Sequence, residues 1–320
     1  MSARNELVFL PLGGSGEIGM NMNLYGIGPA DRRQWLMIDC GVMFSDLRTP
    51  GIDLICPDPA YILDDVGAGG ELLGLVLTHG HEDHIGAVAQ LWPMLKCPLY
   101  ATAFTAALVQ RKLEEQDLLS VPMEVVDLGA TVEIGPFSVE FVTLTHSIPE
   151  PNGIILNTDF GCVLHTGDWK IDPSPTLGAA TDSERLEALG RDGVLAMVCD
   201  STNVLSSGES GSEEAIRENL ATLIADQPGR VAVTTFASNV SRLVSICEAA
   251  VQCDRAVCLL GRSMLRMTDV ARETGIFPGN LSFVEPDEAG YLPNDKVLYL
   301  CTGSQGEPRA ALARRTCMNS

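Results

Sequence analysis

Basic residues are scarce in this chain. Lys and Arg number 21 against 42 Asp and Glu, a formal net charge of −21, which excludes a broad face for phosphate backbones or anionic lipid. Any polyanion would have to be met locally. No stretch approaches the ~20 uninterrupted apolar residues of a membrane span, and the opening Met-Ser-Ala-Arg-Asn-Glu lacks the charged and apolar regions of a signal peptide. The expectation is a cytoplasmic protein without a membrane partner. Ten cysteines are scattered singly, without a Cys-x-x-Cys pair or a disulfide-like spacing, so they read as reduced, buried thiols. Histidine is rarer still: there are five, and three of them, His79, His81 and His84, fall within six residues.

What is present is a globular composition, with 46% hydrophobic and 20% charged residues. A length of 320 residues fits two domains better than one core. The first part reads as short strands between Gly, Pro and Asp turns: Leu7–Leu12, Trp35–Ile38, Leu72–Leu77, Val139–Leu144, Ile154–Asn157 and Cys162–His165. Helices are expected over 85–95 and 103–117. Ser206–Gly211 is a polar turn-rich stretch suited to a linker. Beyond it the rhythm changes to helix 212–225, strand Val231–Thr235, helix 239–251, strand Ala256–Leu260, helix 263–274 and strand Lys296–Cys301. Such αβ alternation implies a parallel sheet with helical crossovers.

Gly14-Ser15-Gly16-Glu17-Ile18-Gly19 matches the dinucleotide fingerprint on paper, and Asp39 follows 20 residues after its last glycine. The fingerprint needs a helix opening at the glycines. Here Met20-Asn21-Met22-Asn23-Leu24-Tyr25 follows, an alternation that reads as a strand, so a glycine-rich turn between strands is expected instead.

Thr78-His79-Gly80-His81-Glu82-Asp83-His84 follows an apolar strand directly and precedes a helix. If the chain stays extended past the strand, His79 and His81 point to one side, while the turn into the helix carries Asp83 and His84 to a second point nearby. One loop can then serve two metals. Imidazoles with a carboxylate suit a catalytic zinc, since structural zinc usually recruits thiolates. His146 and Asp168 stand at strand exits and could complete the ligand set, and a carboxylate such as Asp168 can bridge two cations. His165 lies inside its strand and reads as a packed or supporting histidine. Asp39 and Asp200 each end an apolar strand, where either a turn cap or a role beside the site is possible.

The histidine loop resembles that of the metallo-β-lactamase superfamily. With Leu12–Gly19, Gly51–Leu54, Thr78–Gly86, Thr145–Pro149, His165–Asp168, Asp200–Asn203, Thr234–Asn239, Gly261–Met264 and Cys301–Glu307, the chain resembles the ribonuclease J family of the β-CASP branch over essentially its whole length. The resemblance implies an incomplete αββα lactamase sandwich over 1–205 and a partial, Rossmann-like αβ β-CASP domain over 206–320. It makes His79, His81, His146 and Asp168 ligands of one zinc, with Asp83, His84 and the shared Asp168 holding the other. Mn²⁺ or Mg²⁺ are alternatives. Asp83, Asp168 and Asp200 become the catalytic acids, and Asp39 and His165 the supporting residues.

The implied activity is hydrolysis of RNA phosphodiesters by a metal-activated water, from the 5′ end, internally or both, in RNA processing and decay. RNA is the implied partner, and a homo-oligomer the implied assembly. The family closes its site with two later histidines, in Ser-Gly-His-Ala and Pro-Val-His-Gly-Glu segments, yet no histidine follows His165. Truncation at the C-terminus, with reduced or no activity, is therefore expected. Competing readings are another hydrolase on the lactamase scaffold, acting on a thioester, lactone or β-lactam, and a non-catalytic RNA-binding remnant. Residues 239–320 balance nine basic against nine acidic side chains, so the negative charge belongs to the first part. Local phosphate contacts are expected in the later block, from Arg242, Arg262, Arg266 and Arg272.

Overall fold

The computed structural model describes residues 4–45, 49–306 and 310–316; Glu307, at the end of the Cys301–Glu307 motif, lies outside them. Contacts divide the chain into two compact units. The first holds the residues up to Thr145, with Glu150–Lys170 and Thr181–Gly208; the second holds His146–Pro149, Ile171–Ala180 and the chain from Glu209 onward.

In the first unit, β1 (Glu6–Gly13), β2 (Met22–Gly28) and β3 (Gln34–Ile38) run antiparallel in succession. After the small pair β4 (Met43–Phe44) and β5 (Leu54–Ile55) and helix α1 (Ala60–Gly67), β6 (Glu71–Val76) adds in parallel to β3. The helices α2 (Glu82–Ile85) and α3 (Val88–Leu95), β7 (Leu99–Ala101), α4 (Ala103–Glu114) and β8 (Met123–Val125) complete a six-stranded sheet in the order β1-β2-β3-β6-β7-β8. A second sheet follows from β9 (Thr131–Ile134), β10 (Phe137–Thr143), β11 (Asn152–Thr158), β12 (Gly161–His165) and, after α5 (Ser183–Asp192), β13 (Ala196–Val198), ordered β13-β12-β11-β10-β9.

The period-two alternation of β10 decides how these sheets stack. Phe137, Val139 and Phe141 face inward with Ile154, Leu156 and Val163, and pack against Tyr25, Ile27, Leu36, Ile38 and Val76 of the first sheet. On the other face Val142 and Ile155 pack with Leu189 and Leu186 of α5. The outer face of the first sheet is met by α1 and α4. The layering is αββα, as expected. The glycine-rich segment connects antiparallel β1 to β2 with Gly14, Gly16 and Gly19 at φ +79°, +77° and +102°. With no crossover helix after it, the dinucleotide reading fails on geometry.

Two helix boundaries depart from expectation. The helix read over 103–117 ends at Glu114, in a turn. The helix read over 85–95 starts at Glu82 and is interrupted after Ile85, because the Ala87 N–H leaves the helical ladder and donates to the Cys40 carbonyl, 3.0 Å away. Asp83 and His84 therefore sit on a short helical turn of their own.

The second unit alternates α6 (Glu213–Ala225), β14 (Val231–Thr234), α7 (Val240–Gln252), β15 (Ala256–Leu260), α8 (Arg262–Glu273), α9 (Pro286–Tyr291), a 3₁₀ turn over Asn294–Lys296, β16 (Val297–Cys301) and α10 (Ala311–Thr316). Its sheet is wholly parallel, in the order β14-β16-β15. Cys258, Leu260, Val297 and Cys301 form its core with Ala289 of α9. Two of the arginines expected to meet phosphate are engaged elsewhere. Arg242 makes a two-pronged pair with Glu213, at 2.9 and 3.1 Å, and Arg272 lies over the rings of Phe277 and Phe283 and donates to the Leu281 carbonyl.

Candidate metal centre

The centre begins where β6 ends. The chain leaves the strand through Thr78 and His79, bends at Gly80 and reaches His81, whose backbone (φ −72°, ψ 151°) caps α2, and the first turn of that helix presents Asp83 and His84. Neighbouring backbone laces this turn down: Cys40 N–H donates to the His84 carbonyl at 2.7 Å, Val42 to Glu82 at 3.0 Å, and Asn21 to Asp83 at 3.0 Å. Gly41 lies so close that a Cβ there would stand 1.6 Å from the Asp83 carbonyl oxygen. Only glycine permits this approach.

All six ligand candidates are brought together. His79, His81, His146 and Asp168 each offer one donor atom, and these atoms lie within 4.8 Å of one another; Asp83, His84 and Asp168 do the same. Asp168 belongs to both groups. It follows Gly167, which takes φ +55° against the side chain of Thr78. The Nε2 of His79 is 3.1 Å from Nδ1 of His81, and the His79 and His84 rings are 4.0 Å apart. Imidazoles and carboxylates without a thiolate, gathered around one shared carboxylate, suit divalent cations.

Asp39 explains how His84 is aimed. Fully buried, at φ +63° just past β3, it accepts hydrogen bonds from Thr78 N–H at 2.9 Å, Thr78 Oγ1 at 2.9 Å and His84 Nδ1 at 2.7 Å. This turns Nε2 of His84 toward Asp168, 3.3 Å away, and Asp83, 3.6 Å away. The arrangement is the carboxylate–histidine pairing that orients metal ligands. Burial, the strongest influence on His84, disfavours its charged form, but Asp39, Asp168 and Asp83 together hold its pKa well above the ordinary 6.5. Burial also raises the pKa of Asp83, with Asp168 adding to the rise and His84 opposing it.

His165 stands outside both ligand groups. Its Nδ1 is 3.0 Å from the Tyr25 hydroxyl, and burial lowers its pKa from 6.5 to about 4. Asp200, beyond β13, accepts from the Thr202 N–H at 2.8 Å, while its own N–H donates to Thr166 Oγ1 at 3.1 Å. Its carboxylate thus caps its own turn. It also lines a cavity of about 520 Å³ with Asp83, His84, Asp168, His165 and the Gly14–Gly19 segment. Reading the sequence missed Asn21, Asn23 and Tyr25, although their spacing at alternate positions along a strand already put them on one face. The Asn21 carboxamide donates to the Asp83 carbonyl at 3.1 Å, and Asn23 lines the cavity.

Two family models match the chain: a beta-lactamase superfamily domain over residues 34–189 and a ribonuclease J beta-CASP domain over 228–319. The chain is 51% identical over 315 residues to a ribonuclease J of Sinorhizobium meliloti, covering 98% of this chain and 55% of that protein. Against a ribonuclease J of Corynebacterium glutamicum it is 39% identical over 312 residues, with coverages of 97% and 42%. Against that of Thermus thermophilus it is 35% identical over 319 residues, with coverages of 97% and 54%. The chain thus spans about half the length of these curated relatives. A crystal structure of a protein of unknown function from Enterococcus faecalis V583 shares the fold, with a TM-score of 0.60 at 16% identity over 94% of this chain and 78% of that one.

Proposed function

The chain belongs to the ribonuclease J family, and on that premise we propose that it carries the metal-binding machinery of a nuclease that hydrolyses RNA phosphodiesters, from the 5′ end, internally or both. The observation that carries this reading is the sharing of Asp168 between two ligand groups. His79, His81 and His146 would hold one cation with Asp168, and Asp83 and His84 the other. Zinc fits the donor set best, with Mn²⁺ or Mg²⁺ as alternatives. Bound there, divalent cations supply Lewis acidity to a phosphodiester oxygen and acidify a water for in-line attack.

The protein's own part is orientation. Asp39 takes the Nδ1–H of His84 and leaves Nε2 as the donor atom; Gly41 and Gly167 let two backbones close on the loop. Asp200, at the wall of the same cavity, is proposed as the further acidic residue acting on substrate. In this reading residues 1–205 form the first lactamase segment and 206–320 a partial β-CASP domain. RNA is the partner, the assembly is a homo-oligomer and the compartment is the cytoplasm. No helix among the described residues is long and apolar enough to cross a membrane.

The test is incubation of the metal-loaded chain with 5′-monophosphorylated RNA and, separately, with thioester and lactone substrates. RNA shortening that disappears in Asp168→Asn is expected. Thioester or lactone turnover without RNA decay would overturn the proposal.

A further inference from the structure

The cavity beside Asp83, His84 and Asp168 poses an electrostatic problem for any phosphodiester. Its lining includes Glu17, Asp83, Asp168 and Asp200, and among the described residues no Lys or Arg. Anionic oxygens not met by cations must therefore be met by neutral donors. Ser15, Ser201 and Thr202 are on the wall but exposed, where water serves them as well. Two lining residues are different. Asn23 is 7% exposed and His165 5% exposed, yet among the described residues neither the Asn23 carboxamide nor Nε2 of His165 has a hydrogen-bond partner in the protein. Neither is sealed in the interior: both residues line the cavity, so their free polar atoms face whatever enters it.

Their placement follows from strand geometry. Asn21, Asn23 and Tyr25 occupy alternate positions leading into and along β2, and so share a face. Asn21 spends its carboxamide on the Asp83 carbonyl, and Tyr25 reaches across to Nδ1 of His165. Asn23 lies between them, and no described residue takes up its carboxamide. The Tyr25 phenol stays protonated, because burial raises its pKa far above 10. Such a phenol can donate to Nδ1 of a neutral His165, 3.0 Å away, and in that arrangement the ring proton sits on Nε2.

We propose that the Asn23 carboxamide and the Nε2–H of His165 form an uncharged donor pair that receives the non-bridging oxygens of a phosphodiester bound in this cavity, with Tyr25 as the residue that fixes the His165 tautomer. This rests on the phosphodiester reading above and deepens it. Neutral donors recognise the oxygens without competing with Asp83, His84 and Asp168 for cations, which a lysine or arginine in their place would do.

The probe is dimethyl phosphate, the smallest phosphodiester and one resistant to cleavage, titrated into the zinc-loaded chain and followed by ³¹P NMR. Asn23→Ala is expected to weaken binding about 2- to 10-fold, the range of one neutral hydrogen bond. The near-isosteric Asn23→Asp should weaken it more, by repulsion, with zinc content and circular dichroism unchanged in both. Wild-type affinity in both variants would overturn the donor pair and leave the phosphodiester reading intact. No binding of dimethyl phosphate by the wild-type protein, with a thioester analogue bound instead, would overturn that reading and this inference with it. Should the variants lose their fold, the wild-type His165 Nε2–H resonance decides: it is expected to be present at neutral pH and to move downfield on adding dimethyl phosphate, and an Nδ1–H tautomer or an unmoved resonance overturns the proposal.

Discussion

The two units bury charge in opposite ways. In the second, the buried Asp, Glu and Arg side chains among the described residues are paired at once. Glu213 grips Arg242 at 2.9 and 3.1 Å, Asp172 accepts from the Ser174 and Glu213 N–H groups at 3.0 Å each, and Arg255 donates to the Gly229 carbonyl at 2.7 Å and the Val297 carbonyl at 3.3 Å. In the first, Asp39, His79, His84 and His165 are as deeply buried, but they gather at the ligand groups, and His84 and His165 line a cavity. Burial of charge is therefore not the mark of a site. Several buried groups converging on one open volume, each holding the next in position, is a better one.

The sharpest way to break this comparison is to remove one buried carboxylate from each unit. Asp39→Ala should destabilise the chain by about 3 kcal/mol or more, since it strands His84 in the interior, and should also cost 10- to 100-fold in zinc affinity. Glu213→Ala should destabilise by about 3 kcal/mol for the same reason and leave zinc affinity unchanged. Urea unfolding and calorimetric zinc titration read the two effects separately. An equal loss of zinc affinity in Glu213→Ala would erase the distinction.

Next in size is Gly41→Ala, whose new methyl cannot coexist with the Asp83 carbonyl oxygen. A loss of about 1 to 3 kcal/mol is expected from the forced displacement, together with weaker zinc binding. Unimpaired zinc binding would mean that the His-loop does not depend on the 39–42 segment.

Acid–base behaviour separates the two buried histidines within the first unit. In the metal-free chain, His84 carries a raised pKa, so its stabilisation is complete below pH 6.5 and is lost as pH rises through the raised value. His165 carries a lowered one, so its stabilisation is present above pH 6.5 and is lost as pH falls toward about 4. Imidazole NMR should find His84 protonated and His165 neutral at pH 6.5. Zinc must displace the His84 proton, so affinity should rise with pH across this range. Identical titration curves for the two rings would refute the assignment. The smallest effect expected is Glu150→Ala, which removes the carboxylate accepting from the Phe104 N–H at the start of α4, at 2.8 Å; a loss of about 1 kcal/mol should appear as a lowered Tm.

Much of this was legible in residue order. The alternation in Val139–Leu144 set the inward face of β10, and the αβ rhythm after Ser206 implied the parallel sheet. Thr78–His84 announced the ligands through their chemistry and spacing. Short elements were not legible: β7, β8 and β13 have three residues each, too few for a period to register against turns. The support of the site was hidden for a different reason. Asn21, Gly41 and Tyr25 act through neighbours distant in sequence, such as Asn21 on Asp83 across 62 positions; Asp39 was named as support, but not its grip on His84. Only strand pairing reveals such contacts. For Arg242, composition counts a guanidinium without showing that Glu213 pairs with it.

The proposal stands or falls on one carboxylate, Asp168, joining two cation sites. Zinc titration by calorimetry, with bound metal counted by elemental analysis, tests it in the wild-type chain and in Asp168→Asn. The account predicts two ions per wild-type chain and the weakening of both binding events in the variant. Fewer than one tightly bound ion per wild-type chain, or two undiminished events in Asp168→Asn, would contradict it.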